Sequence, residues 1–217
     1  MKDLARKFLS DDQCRRIEAA VEQAEKNTSG EIVPMVVSAS YHYPVADAIG
    51  AAAFSLPAAV VLTYLLGNSF WIGGQNLWLF LGISAILYPV FHTLVKHWLA
   101  VKRIFISDRE MDEEVEEAAV TAFFREGLYR TRDETGVLVF ISIFEQRVWV
   151  LADRGINARA QEGQWGEPVR MIVEGIKQQR QAAAICEAVA LIGKILAAHF
   201  PRRPDDTDEL RNLIVEE

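Results

Sequence analysis

Asp133, Glu134 and Asp153 stand beside Arg132 and Arg154, and carboxylates next to guanidinium groups are what phosphoryl chemistry requires. Carboxylate oxygens hold hard divalent cations such as calcium or manganese. An arginine fork can grip a phosphoryl oxyanion as charge builds on it. Two β-prone runs begin near Glu31 and Val137, and a third ends near Ala152, so Glu31 and Asp153 belong to the same sheet edge as residues 130–135. Glu31, Asp133, Glu134 and Asp153 are therefore the candidate metal ligands, and Asp133, Asp153 and Arg154 the candidate catalytic groups. The competing reading is structural. Asp133 and Glu134 form a turn before a strand, and Asp153 pairs with Arg154 at the surface.

A second polar set lies at the other edge. Ligands of open α/β sheets bind outside the C-terminal ends of the parallel strands. That places the turn residues Glu145 and Arg147, together with the end of the first strand near Ser38, at the expected edge. Both edges stay open as the site. The chain has no phosphate-cradling loop and no Ser-His-Asp set, and His42, His92, His97 and His199 are too dispersed to pair on a metal. Glu113, Glu114, Glu116 and Glu117 follow one another on a helix, point in different directions and read as a solvated face.

These residues must be positioned by a fold that includes a membrane segment. From Ala48 to Val95 there is no Asp, Glu, Lys or Arg, although 24% of the 217 residues are charged. Two apolar halves of about 20 residues flank a Gly- and Asn-rich stretch, the length a helix needs to cross the hydrocarbon. We expect transmembrane helices at 46–67 and 77–97 joined by an external loop at 68–76. Lys96, Lys102 and Arg103 follow the second helix and predict cytosolic termini in a cell (inner) membrane. Asp47 is expected to stay in the headgroup region. Ser55, Thr63, Ser84 and His92 are the polar side chains of the hairpin, which favours an anchor over a small oligomeric channel or carrier. No apolar core follows the charged N-terminus, so no secretory leader is expected.

Outside the hairpin roughly 160 residues remain, enough for one domain. Ser10 and Gln13 form a capping box before an apolar helical face at Cys14, Ile17, Val21 and Ala24. Glu31–Ser38 reads as a buried strand, with Pro34 suggesting an edge or an irregularity. Ser107 and Glu110 open a second helix. Val137–Ile143 and Val148–Ala152 read as a β-hairpin around Phe144–Arg147. Helices follow near Pro168 and across Ala184–Leu196, and Leu210, Leu213 and Ile214 suggest a last short helix in a charged tail. The helical crossover makes the first two strands parallel, and the third runs antiparallel. The expected fold is a small three-layer α/β/α sandwich with a mixed sheet, its parts at 1–40 and 105–200, interrupted by the hairpin and followed by a tail at 201–217. The formal charge of −7 argues against a nucleic-acid partner. Cys14 and Cys186 sit on apolar helical positions and read as reduced packing residues.

The segments Leu9-Ser10, Thr28-Ser29-Gly30-Glu31-Ile32-Val33, Thr135–Ser142 and Arg147–Ile156 resemble the TPM domain family, named for its thylakoid, photosystem-associated and receptor-modulating members. The similarity is strongest to bacterial membrane proteins of that family with a two-helix insertion after the first strand. It implies the same sandwich. Some relatives are described as acid phosphatases and others as non-enzymatic modulators of membrane complexes. Two departures weaken the transfer of phosphatase activity: Ala152 replaces the first glycine of a Gly-x-Gly pair of which Gly155 remains, and the domain is expected to face the cytosol. The resulting expectation is a cytosolic interaction or assembly module, with the lipid bilayer and other membrane proteins as partners. The alternatives are a weak metal-dependent acid-phosphatase-like hydrolase using calcium or manganese, and a small channel or carrier.

Overall fold

A computed structural model describes residues 4–71, 76–159, 163–203 and 209–216. In chain order the elements are α1 (Leu4–Phe8), α2 (Asp11–Glu25), β1 (Glu31–Val37), α3 (Pro44–Ser69), α4 (Leu77–His97), α5 (Leu99–Ile104) and α6 (Asp108–Arg125). A 3-10 turn at Leu128–Arg130 leads into β2 (Gly136–Ser142), β3 (Arg147–Ala152), α7 (Arg154–Asn157), α8 (Gly166–Lys177), α9 (Gln181–His199) and β4 (Ile214–Glu216). Two compact units result, Met1–Tyr41 with Asp112–Glu217, and His42–Met111.

The larger unit is built on a mixed four-stranded sheet in the order β3-β2-β1-β4. β1 runs parallel to β2 from Glu31↔Gly136 to Val37↔Ser142, and β3 returns antiparallel from β2, both as expected. All seven residues of β1 and of β2 are buried. Strands buried on both faces read as continuous apolar runs, which is why Ile32–Val37 and Val137–Ile141 do not alternate. On one face Ile32, Val36, Val137, Val139 and Ile141 pack with Ile17 and Val21 of α2, Ile172 of α8 and Ile185, Val189 and Ile192 of α9. On the other, Val33, Met35, Val37, Leu138 and Phe140 meet Val115, Ala119, Ala122 and Phe123 of α6. The result is the three-layer α/β/α sandwich. Helix α2 starts as the capping box requires: Gln13 N–H donates to Ser10 Oγ at 3.3 Å, and Ser10 N–H to Gln13 Oε1 at 2.9 Å.

The C-terminal segment differs from the expectation. Ile214–Glu216 is not a helix but β4, which pairs parallel with Met35–Val37. Consequently β1 is not an edge strand despite Pro34. The even-numbered amides of β1 turn toward the β4 side: Ser38 N–H reaches Glu216 O, and Ile32 N–H reaches Glu25 Oε1. Pro34 sits on that side where β4 has not yet begun, so its missing donor removes no ladder bond.

The residues 28–31 tie strand starts together. Thr28 Oγ1 donates to Phe200 O at 2.7 Å, Thr135 Oγ1 donates to Ser29 O at 2.9 Å, and Glu31 N–H donates to Thr135 O at 3.1 Å. Cys14 and Cys186 are both free thiols. Burial pushes both above the ordinary thiol value, with Glu18 and Asp11 adding to the rise at Cys14. A raised thiol pKa means less thiolate at neutral pH. Iodoacetamide at pH 7.5 should therefore alkylate the folded chain more slowly than a free cysteine peptide. The two rates should converge on unfolding.

In the second unit α3 spans 26 residues and α4 spans 21, about 39 and 32 Å at 1.5 Å per residue. Mean hydropathy over their most apolar windows is 2.0 and 1.7. Both helices are long and apolar enough to cross a membrane, and so is α9, at 1.6. More of α9 is buried than of either, through Ala184, Ile185, Ala188, Val189, Ile192 and Leu196 in its own unit. On α3 the buried positions are Ala46, Asp47, Gly50, Ala51, Ser55, Ala59, Thr63 and Gly67, a stripe of mostly small residues that lets α4 approach. Leu56, Val60, Tyr64, Trp78, Ile86 and Val90 lie exposed. The expected loop at 68–76 starts later than predicted, since α3 continues to Ser69, and residues 72–75 lie outside the described residues.

Asp47 is buried in this unit against a lysine. It is 6% exposed, and its partner Lys102 on α5 is 1% exposed. The ammonium donates to Asp47 Oδ2 at 3.0 Å, lies 2.9 Å from Oδ1 and donates again to the His42 carbonyl. Asp47 also stands in the first turn of α3, where the helix dipole favours a carboxylate.

Candidate functional site

The edge where β1 and β2 begin holds the acidic candidates, and the fold uses most of them. Asp133 is paired with Arg203, whose Nη1 lies 2.8 Å from Oδ2 and 3.0 Å from Oδ1. Glu134 has φ +56° in the turn before β2, and its carbonyl accepts the Gly155 N–H at 3.1 Å. Asp153 caps α7: its Oδ1 accepts the Arg154 backbone N–H at 2.6 Å. The expected Asp153–Arg154 ion pair is thus replaced by a cap, because Oδ1 is held by the amide while the Arg154 side chain is exposed. Glu31 is 6% exposed, and its Oε1 accepts the Glu209 N–H at 3.4 Å. Gly155 is required here. A Cβ on it would stand 2.6 Å from both the Asp133 and Glu134 carbonyl oxygens, closer than any carbon–oxygen contact permits.

The loop and the cap therefore touch, yet their side chains do not converge. Among the described residues, no three His, Cys, Asp or Glu side chains group as a cation would need. Two atoms stand out: Asp153 Oδ2 is buried without a hydrogen-bond partner, and Glu31 Oε2 accepts no hydrogen bond although Oε1 of the same carboxylate does. Two such oxygens are fewer than the multidentate oxygen cage that calcium or manganese takes.

The opposite edge, where the parallel strands end, is organised around a buried carboxylate. Glu145 is fully buried. Its Oε1 accepts the Ser40 N–H at 3.0 Å, and its Oε2 accepts the Ser142 hydroxyl. The Ser40 hydroxyl donates to Ser142 Oγ at 3.0 Å. Ser38 Oγ accepts the Ala5 N–H at 3.0 Å, which brings α1 to the same edge. Glu145 was expected near this edge as a turn residue, not as the centre of a network. The Ser142-x-x-Glu145 spacing at a strand end is the sequence feature that marks it. Arg147 turns away to bond Asp112 at 2.5 Å.

Beside this network a groove of about 530 Å³ runs between the sheet and α6. Met35, Val37 and Phe140 form its floor, Ser40 and Tyr41 one end, and Glu114, Glu117 and Thr121 its helical wall. Arg125 and Glu216 close the other side with an ion pair of 2.6 Å. A hydrogen bond from Arg125 to Glu126 raises the guanidinium pKa, burial opposes it, and Glu216 adds to the rise. The cation is therefore occupied, and the acids of α6 set the sign of the rim. Such a surface can take an apolar side chain on its floor and basic groups on its wall. It offers no nucleophile aligned with a base and an oxyanion donor.

No protein-family model matches this chain, and no curated protein sequence matches it. Among solved structures, the NMR structure of BA42 protein from the psychrophilic bacterium Bizionia argentinensis is similar to it. The two share 20% identity over 97% of this chain and 96% of that one, at a TM-score of 0.59. That likeness shows the fold.

Proposed function

We propose that this chain is a membrane-anchored TPM-type domain that works as a non-catalytic interaction or assembly module, with the groove along α6 as its docking face for other membrane proteins. The observation that carries the reading is the use of the candidate acids: Asp133 goes to Arg203, Asp153 caps α7, and Glu145 holds two strand ends. Residues so engaged are poor general acids or nucleophiles. The hairpin of α3 and α4 supplies the anchor, with Trp71 and Trp78 at its outer interface and Lys96 and Arg103 holding the termini in the cytosol of a bacterial inner membrane. Lys102 counts less toward that bias, since Asp47 neutralises it. Only residues 38–43 separate β1 from α3 in the chain.

In native membranes the chain should migrate on native gels within a complex larger than itself. Combined Glu114→Lys and Glu117→Lys should reduce that complex by roughly tenfold, the effect of setting like charge against a basic partner. Purified chain in nanodiscs should show no phosphate-ester hydrolysis above buffer with calcium or manganese. Turnover that disappears in Asp133→Ala or Asp153→Ala would overturn the reading. The hydrolase alternative draws its support from the buried oxygens Asp153 Oδ2 and Glu31 Oε2, which accept no hydrogen bond.

A further inference from the structure

A second cavity lies on the other face of the sheet from the α6 groove. It holds about 460 Å³ and is walled by Phe8 of α1, Ile141 and Ile143 at the end of β2, Val148 of β3, and Val173 and Ile176 of α8. Interiors pack to the density of organic crystals and keep few voids larger than a water molecule. Here Phe8, Ile143, Val173 and Ile176 stay partly uncovered although they pack against the core. An apolar space of this kind gives water few partners. Its volume falls within the range of small-molecule sites, which are mostly apolar with a few polar groups at one end.

The polar end is cationic. Gln146, Arg147 and Lys177 stand at the mouth. Lys177 is exposed and has no partner among the described residues. Arg147 gives its Nε to Asp112 of α6, on the other face of the sheet, which leaves Lys177 as the cation at the mouth. Glu145, two residues before Arg147, is bonded to Ser40 and Ser142, and Glu174 of α8 lies three residues before Lys177. Asp112 is spent on Arg147, and Glu174 is exposed. An apolar cavity with an unpaired ammonium at its mouth matches one class of molecule.

We propose that this cavity binds the tail of an anionic amphiphile, a single acyl chain whose carboxylate or phosphate sits against Lys177. The tail would cover the exposed parts of Ile143, Val173 and Ile176, and the head would gain charge-assisted hydrogen bonds. A free fatty acid and a membrane phospholipid offer the same chemistry.

The test uses the full chain in phosphatidylcholine nanodiscs with two photoreactive probes: palmitate carrying a diazirine, and phosphatidylglycerol carrying the same diazirine in one acyl chain. After irradiation, peptides spanning residues 141–148 and 173–177 should carry the label, and excess plain palmitate should compete for it. Labelling by palmitate alone identifies a free acid, and labelling by phosphatidylglycerol identifies a lipid. Lys177→Glu, at an exposed position that leaves the fold intact, should lower the labelling of these peptides roughly tenfold through loss of a charge-assisted contact. Val173→Trp should abolish it by filling the cavity. If that variant does not fold, Lys177→Glu decides. Label confined to α3 and α4 with both probes, or cavity label unchanged in Lys177→Glu, would overturn the proposal.

Discussion

Asp47→Ala should destabilise the His42–Met111 unit by about 3–5 kcal/mol, the loss expected when one member of a buried ion pair is removed and the other stays. The size follows from burial. Lys102 is 1% exposed, so its ammonium has no water to return to when the carboxylate goes. The His42 carbonyl would remain as an acceptor, but it carries no charge to offset the ammonium. Thermal unfolding of the full chain in nanodiscs, followed by tryptophan emission, measures the effect. Removing both charges separates the pair from the packing: Asp47→Leu with Lys102→Met should stand within about 1 kcal/mol of the parent or above it. An Asp47→Ala variant as stable as the parent would show that the pair does not hold α3 to α5.

Phe140→Ala should cost the larger unit about 3–5 kcal/mol, the usual range for a buried aromatic cut to alanine. Phe140 is 2% exposed at the centre of β2, on the face that α6 covers with Val115, Ala119, Ala122 and Phe123. Two alanines on the facing helix mean that little side-chain mass can collapse into the space, so the cavity should persist. The same ring forms part of the groove floor, and its loss should deepen the groove as well as weaken the fold. Chemical denaturation of the full chain gives the midpoint shift. Phe124→Ala is the control: Phe124 is 58% exposed, and its loss should stay within about 0.5 kcal/mol.

The difference between what was legible in the sequence and what was not is a matter of range. Periodicity, capping and turn chemistry act over a few residues. They identified α2 from Ser10 and Gln13, the parallel β1–β2 pair, the return of β3 and both long apolar helices. β4 escaped because three residues carry no period, and Leu210, Leu213 and Ile214 read equally well as one helical face. The site residues depended on partners far along the chain. Asp47 meets Lys102 across 55 positions, and Asp133 meets Arg203 across 70. An aspartate beside an arginine in sequence suggested a pair at Asp153 and Arg154, yet the backbone amide took the carboxylate first. Gly155 was noticed as a retained glycine, and its reason, two carbonyl oxygens at 2.6 Å from a would-be Cβ, exists only in three dimensions.

The separation of β1 from β2 also sets a delay. Ser40 and Glu145, which close the two strand ends, lie 105 residues apart, and a ribosome adding about 5–20 residues per second takes roughly 5–20 s to make that much chain. Throughout that interval β1 has been made with all seven residues apolar or destined for burial, while the two long helices emerge and leave the ribosome. An unpaired strand of this kind is a template for wrong partners. Biogenesis of this protein thus has a vulnerable window that the inserted helices lengthen, and slowing translation within residues 44–136 should raise the aggregated fraction without changing a single native contact.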